Sequence, residues 1–488
     1  MTENYSWNAL HPRVTRNENM VGFLRPVPPP TDLLQSRCQI TKKWRSDMRS
    51  TLPSVKSIRL IVASAIVFFG ATGMIAQTEA TLHRFENKGD GYSPLAGVIA
   101  DSEGNLYGAA SDDFSDTGTI FKMTPPAPGG RWTYSALYKL NGKTDGETPW
   151  ASLLRDSSGN LYGTTDVGGA HSCGTVFELT PPTVSGAPWT FNLLYTFAGG
   201  ADGCGLENSG LVADNLGNLY GVTDGGGKCS AGCNVGVAYK LSPPTVTGAA
   251  WTETVLYRFG FTGATDGAVP IGNLLRFGEG LYGTTFEGGA YGAGTVFALE
   301  PPSGTGEPWT EQVLYSFTGG TSDGLKPLAG LIPDGNGGLY GTTADTYSFV
   351  FTTCGGTYCG HVFDLSPPAG GSGPWTYTSV WAFSGPDGST PYAPVTRDNS
   401  GNLYGTTSYG GSDGGGVIFK LTPPAGGGGA WTETTLYDFG TGAGGKWPQS
   451  NVIFGQGGRL YGTAYSGAAQ CPDGGPNGGC GTVFTLEP

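Results

Sequence analysis

Histidine is nearly missing from this chain: of four in 488 residues, only His83, His171 and His361 lie beyond the first eighty. None stands in a motif with a nucleophile, and no G-x-S-x-G elbow, H-E-x-x-H pair or phosphate-cradling glycine loop occurs. The usual hydrolase, metalloprotease and nucleotide-site signatures are therefore absent, and the many Gly-Gly pairs are loop composition. Charge is scarce as well, at 13%. Residues 81–488 carry 16 Lys/Arg against 34 Asp/Glu. A surface that acidic repels phosphate backbones and anionic membranes, so a nucleic-acid partner is not expected. No cofactor or metal ligand set is expected either.

Long apolar runs are confined to residues 58–76, IRLIVASAIVFFGATGMIA, preceded by Lys56 and Arg59. A basic flank, a short apolar segment and small residues at Ala71-Thr-Gly73 or Thr78-Glu-Ala80 form the pattern of a secretory signal. Met48 is a conventional start for it, which leaves residues 1–47 as a disordered leader or an over-extended gene start. Residues 48–80 are expected to be a signal peptide, or else a membrane anchor. Membrane contact is expected only through residues 58–76, if uncleaved, and both readings put residues 81–488 outside the cytoplasm.

Cysteine is not scarce. Apart from Cys38 in the leader there are eight, an even number that reads as disulfides in an exported chain. Spacings of four, five and nine with no histidine nearby do not suit zinc. Cys229/Cys233, Cys354/Cys359 and Cys471/Cys480 each fall within one loop, and Cys173 is expected to pair with Cys204 in the following loop.

What dominates the chain is repetition. Leu-Tyr-Gly occurs seven times, starting at Leu106, Leu161, Leu219, Leu281, Leu339, Leu403 and Leu460, with a mean period of 59. Self-similarity of this kind marks one supersecondary unit stacked on its neighbours. Each unit holds four strand-like segments, represented by PWASLLRD (149–156), GNLYGTT (159–165), GTVFELTPP (174–182) and WTETVLYRF (251–259). In the fourth, Trp251, Val255, Tyr257 and Phe259 share one parity, which predicts one buried face. Short antiparallel four-stranded units repeated radially make an all-β, seven-bladed β-propeller over residues 81–488. The seventh unit ends without a fourth strand, while a spare copy, Thr81–Phe85, precedes the first. That strand is predicted to complete the last blade and close the ring, as a monomer.

Two kinds of aspartate recur. Asp101, Asp156, Asp214, Asp334 and Asp398 read as turn caps between the first two strands. Asp90, Asp145, Asp202, Asp266, Asp323 and Asp387, each followed by Gly, read as turns with a cation or acid–base alternative. The turns between strands one and two and the TPP loops are monotonous, which suggests a passive face. The loops between strands two and three vary in length, and three of them carry the local cysteine pairs. Candidate binding aromatics on or near the variable loops are Tyr291, Tyr347, Phe349, Phe351, Tyr358, Tyr409 and Tyr465. Trp150 and Trp447 stand near the starts of first strands.

The joint pattern GNLYGTT…GG…GTVFxLTPP…WTxxxLYxFxGGxDGxxP resembles the GloVer-type tandem repeat of exported bacterial proteins. The resemblance implies an extracellular or cell-surface location and brings no catalytic residues. A C-terminal sorting anchor, common in that family, is not expected, since Pro488 ends in the last repeat. The reading is a binding or scaffold module whose ligand is a polysaccharide or a surface protein. The alternative is a polysaccharide-active hydrolase or lyase, which would need convergent carboxylates in a deep central cleft.

Overall fold

The structure, a computed structural model, describes residues 79–488 except 113–116, 128, 228–234, 247, 261–264, 305–307, 345–358, 372, 427, 441–443 and 469–479. The expectations for residues 1–47 and 58–76 thus lie outside the described residues. So do those for Tyr347, Phe349, Phe351 and Tyr358 and for Cys229, Cys233, Cys354 and Cys471. Seven antiparallel sheets form a β-propeller. Blade 2 shows the plan: a two-residue first strand, Leu154–Arg155, then Leu161–Thr165, Thr175–Thr180 and Thr190–Thr196, hydrogen-bonded in chain order. Blade 4 alone splits its first strand, with Gly267–Pro270 and Leu275–Phe277 both pairing with Gly280–Gly288.

The Leu-Tyr-Gly motif is explained by what lies on each side of the second strand. Every Leu of the motif is buried, at 2% exposure or less. Leu161 packs with Phe177 against Tyr107 and Ile120 of the preceding blade. The Gly sits opposite the aromatic of the third strand, as in Gly163 with Phe177. A Cβ at Gly163 would lie 2.4 Å from the Phe177 ring, and the other six blades give 2.3–2.6 Å. The Tyr faces the next blade, where the Trp that precedes the fourth strand meets it edge-on: Tyr107 with Trp189 at 6.3 Å and Tyr340 with Trp431 at 6.1 Å. Blade sides therefore interlock through residues fixed by the repeat.

The threonine after the motif adds a polar tie. Thr164 Oγ1 donates to Ser209 O (2.8 Å), Thr284 to Ala329 O (2.9 Å) and Thr406 to Ser450 O (2.7 Å), each reaching the next blade. Thr463 of blade 7 donates to Ala96 O of blade 1 at 3.0 Å, so the ring is closed. Closure uses both chain ends: blade 7 comprises Ile453–Phe454, Leu460–Ala468, Cys480–Leu486 and the N-terminal strand Glu79–Arg84.

Two details differ from the sequence expectation. The closing strand starts two residues earlier than Thr81, because Glu79 pairs with Leu486 as Glu253 pairs with Leu241 in blade 3. Single-parity burial also fails in the fourth strand. A bulge opposite Ala238/Tyr239 shifts its register, so Leu256 and Phe259 are buried while Trp251, Val255 and Tyr257 are half-buried. Equivalent bulges occur in the other blades.

Candidate functional site: the channel mouth

Both aspartate series are absorbed by the scaffold. Asp101 Oδ1 accepts the N–H groups of Glu103 and Asn105, and its Oδ2 accepts Asn105 Nδ2 (2.8 Å) and the Tyr107 hydroxyl (3.0 Å). Burial opposes ionisation there, but the bonds from Asn105 and Tyr107 hold the carboxyl below its ordinary range. In the second series Asp145 accepts the Tyr138 hydroxyl at 2.8 Å, Asp323 that of Tyr315 at 2.9 Å and Asp387 the Trp381 Nε1–H at 3.0 Å. Blade 7 lacks this Asp, and Tyr437 bonds instead to Glu79 on the closing strand. Among the described residues, no three His, Cys, Asp or Glu side chains are placed to hold a metal ion.

Chemistry that is not repeated converges where the first strands begin. All seven blades line a central cavity of about 50 Å³, among them Leu95, Trp150, Asn208, Gly272, Leu328, Tyr392 and Gln449. That volume holds a few waters and no sugar ring. Trp150 lines it with an indole N–H that is buried and has no hydrogen-bond partner.

The backbone around this mouth is under strain. Thr148, Val269, Lys326, Thr390 and Trp447 occupy the same place in five blades, each before a proline and each with φ of 50–58°. β-Branched side chains rarely adopt that region, and here an inter-blade bond enforces it. Val269 N donates to Val235 O, Lys326 N to Ala293 O, Thr390 N to Cys359 O and Trp447 N to Gly415 O, all at 2.8 Å. In blade 3 the place is taken by Gly205, whose N–H reaches Cys173 O at 3.1 Å. There Cys173 and Cys204 form a disulfide, with Cα atoms 4.4 Å apart. Cys359 and Cys480 are also disulfide-bonded.

On this frame the mouth has two unlike arcs. Blades 2 and 3 contribute Asp166, Glu207 and Asp224, all half-buried. Burial, then the neighbouring Asp224, pushes Asp166 up to about 7, although Leu206 N donates to its Oδ1 at 3.1 Å. Burial, then Asp166 and Asp224, pushes Glu207 to about 7, and burial raises Asp224. Blades 6 and 7 contribute aromatics: Tyr409 and Trp447 have ring centroids 6.2 Å apart, and Tyr465 lies within electrostatic reach of Tyr409. Tyr392 is within reach of both Tyr409 and Glu207, so it joins the arcs. Between them Lys326, 8% exposed, holds its ammonium 3.9 Å from the Phe286 ring centroid.

Of the aromatics named from sequence, Trp150, Tyr409, Trp447 and Tyr465 thus meet at the mouth. Tyr291 does not: it stands 66% exposed on the blade 4 loop, with Tyr315 of the outermost strand as neighbour. Sequence reasoning missed Asp166, Glu207, Asp224, Lys326 and Tyr392. The signal was present, because Asp166 and Asp224 are the third residue after L-Y-G, where other blades have Ser111, Phe286, Ala344, Ser408 and Tyr465.

No curated protein sequence matches the chain. Among solved structures, a luciferin-regenerating enzyme shares 15% identity over 84% of this chain and 95% of its own, with a TM-score of 0.39. An α-L-arabinanase of Penicillium chrysogenum complexed with arabinobiose shares 14% over 84% and 98%, at 0.39. The polysaccharide lyase Uly1 shares 10% over 82% and 89%, at 0.41. Likenesses this distant carry no functional argument. The model of the Gloeobacter/Verrucomicrobia repeat matches residues 69–259, 189–353 and 344–488, and so spans every blade. The chain belongs to the Gloeobacter/Verrucomicrobia repeat family.

Proposed function

We propose that this chain is an exported binding module that holds a glycan across the channel mouth. The observation that carries the reading is an aromatic arc (Tyr392, Tyr409, Trp447, Tyr465) joined to a carboxylate arc (Asp166, Glu207, Asp224) through Tyr392, which is within reach of both Tyr409 and Glu207. Aromatic faces take the apolar side of a sugar ring. Carboxyls titrating near neutrality both donate to and accept from hydroxyls. The acidic surface disfavours an anionic polymer. The Cys173–Cys204 disulfide favours an oxidising compartment. No helix among the described residues is long and apolar enough to cross a membrane.

The second reading, a polysaccharide hydrolase or lyase, is favoured by Asp166 and Glu207, whose raised carboxyls suit general acid–base work. Against it, the central cavity is too small to take a sugar ring, and neither carboxyl lines it. A glycan array with a reducing-sugar release assay on its hits separates the two. Binding without release is expected, turnover would convert the module into an enzyme, and no binding to any glycan would contradict both.

A further inference from the structure

Blade 5 departs from blades 1, 2, 3 and 6 in the turn between its first two strands. Blades 1, 2, 3 and 6 place an asparagine there (Asn105, Asn160, Asn218, Asn402) whose Nδ2 donates to the turn aspartate's Oδ2 at 2.7–2.8 Å. The motif tyrosine hydroxyl donates to the same oxygen. Blade 5 has Gly338 instead. Asp334 Oδ1 still accepts Asn336 N (2.6 Å) and Gly338 N (2.7 Å), but Oδ2 has lost both side-chain donors in a residue only 5% exposed. A Cβ at Gly338 would lie 2.8 Å from that Oδ2, so the carboxylate has turned into the space that asparagine fills elsewhere.

A second carboxylate stands beside it. Asp364 pairs in register with Tyr340 and Thr378, so its side chain shares their face of the sheet. Its Oδ1 is buried away from solvent, Ser366 hydrogen-bonds to the carboxylate, and Asp364 itself does not line the groove described next. Asp334, Tyr340 and Thr378 border a groove of about 730 Å³ between blades 5 and 6. Trp381 and Trp431 wall it with indoles, and Arg397 adds donors at its rim. The volume falls in the range of small-ligand sites. With Asp334 set against Arg397 the lining asks for no net charge in a ligand, and a hydroxyl donor suits Asp334 Oδ2.

We propose that this groove is a second carbohydrate site, taking a neutral glycosyl unit whose hydroxyls donate to Asp334 and accept from Arg397 and whose apolar face meets the indole walls. It stands on the face of the turns between first and second strands, opposite the channel mouth, and does not depend on the mouth being a site. Titration calorimetry of the whole chain with cellotetraose, laminaritetraose, mannotetraose and xylotetraose tests it, alongside Arg397→Ala, Gly338→Asn and Trp447→Ala. Gly338→Asn installs the residue of blades 1, 2, 3 and 6, and Arg397 is exposed, so both variants are expected to fold, as thermal melting checks. At least one tetraose is expected to bind, with affinity falling tenfold or more in Arg397→Ala and Gly338→Asn and unchanged at this site in Trp447→Ala. No binding by any of the four, or binding unaffected by Arg397→Ala and Gly338→Asn, overturns the proposal. Loss in Trp447→Ala alone assigns the binding to the mouth and overturns it equally.

Discussion

At the scale of single residues, the motif glycine is required by a close approach. Gly163 has no room for a Cβ, which would meet Phe177 at 2.4 Å and Leu153 at 2.9 Å. Gly163→Ala is expected to destabilise the chain by about 1–3 kcal/mol through overpacking, read by chemical denaturation. An unchanged midpoint would show that the Phe177 ring yields freely. The mouth carboxyls act in the opposite direction, since part of their cost is borne by the folded state. A raised carboxyl holds its proton longer in the folded chain than in the unfolded one. Stability from this source is therefore complete below about pH 4, where both states are protonated, and falls as pH rises toward about 7. Asp166, Asp224 and Tyr392 face Glu207. Glu207→Gln is expected to raise the melting temperature at pH 8 and to leave it nearly unchanged at pH 5. A lower melting temperature at pH 8 would mean that the charge is held by an attractive partner. The roles of the repeated aspartates as turn caps were legible from D-x-x-G-N alone. The acidic trio was not, because its members come from two blades and three loops and meet only once the ring is formed.

At the scale of elements, strand count and order followed from the repeat, but strand faces did not. Parity in WTETVLYRF pointed to Val255 and Tyr257, whereas the bulge that bends each outer strand buries Leu256 instead. A bulge depends on the partner strand and leaves no mark in one strand's own pattern. The closing strand shows a similar gap. Its start at Glu79 becomes intelligible only when Tyr437, lacking the aspartate of the other repeats, is found bonded to it. This has a consequence for export. Under the proposed export, processing after Ala80 would remove Glu79, so mass spectrometry of the processed chain is expected to show an N-terminus upstream of Glu79, as a cut after Gly73 would give. A mature chain starting at Thr81 would contradict the role given to Glu79. The Cys173–Cys204 bridge ties a loop of blade 2 to the segment leading into blade 3, across 31 residues. Replacing both cysteines with serine is expected to cost about 2–4 kcal/mol, seen as a melting temperature several degrees lower under oxidising conditions. Equal melting of the two forms would show that the bridge constrains nothing.

At the scale of the whole molecule, seven copies of one unit build a ring whose sides are uniform and whose ends are not. Inter-blade contacts repeat with little change, from Tyr107–Trp189 to Tyr340–Trp431. The seam between Thr463 and Ala96 uses the same bond as the junctions after blades 2, 4, 5 and 6. The fold could be read from such uniformity, and the site could not, because it consists of departures from it. Asp166 and Asp224 stand where the other five blades have no carboxylate, Glu207 and Tyr392 differ from their counterparts in neighbouring blades, and Gly338 stands on the opposite face where blades 1, 2, 3 and 6 have asparagine. Comparing the seven copies position by position finds these departures, but only the ring shows which of them face one another. The most direct test of glycan binding at the mouth is the affinity of the chain for the strongest array hit, measured with and without Trp447→Ala and Tyr409→Ala. Loss of one stacked ring is worth about 1–2 kcal/mol, so each variant is expected to raise Kd roughly tenfold while leaving the melting temperature nearly unchanged. Unaltered Kd in both variants would contradict the account and place recognition elsewhere on the propeller.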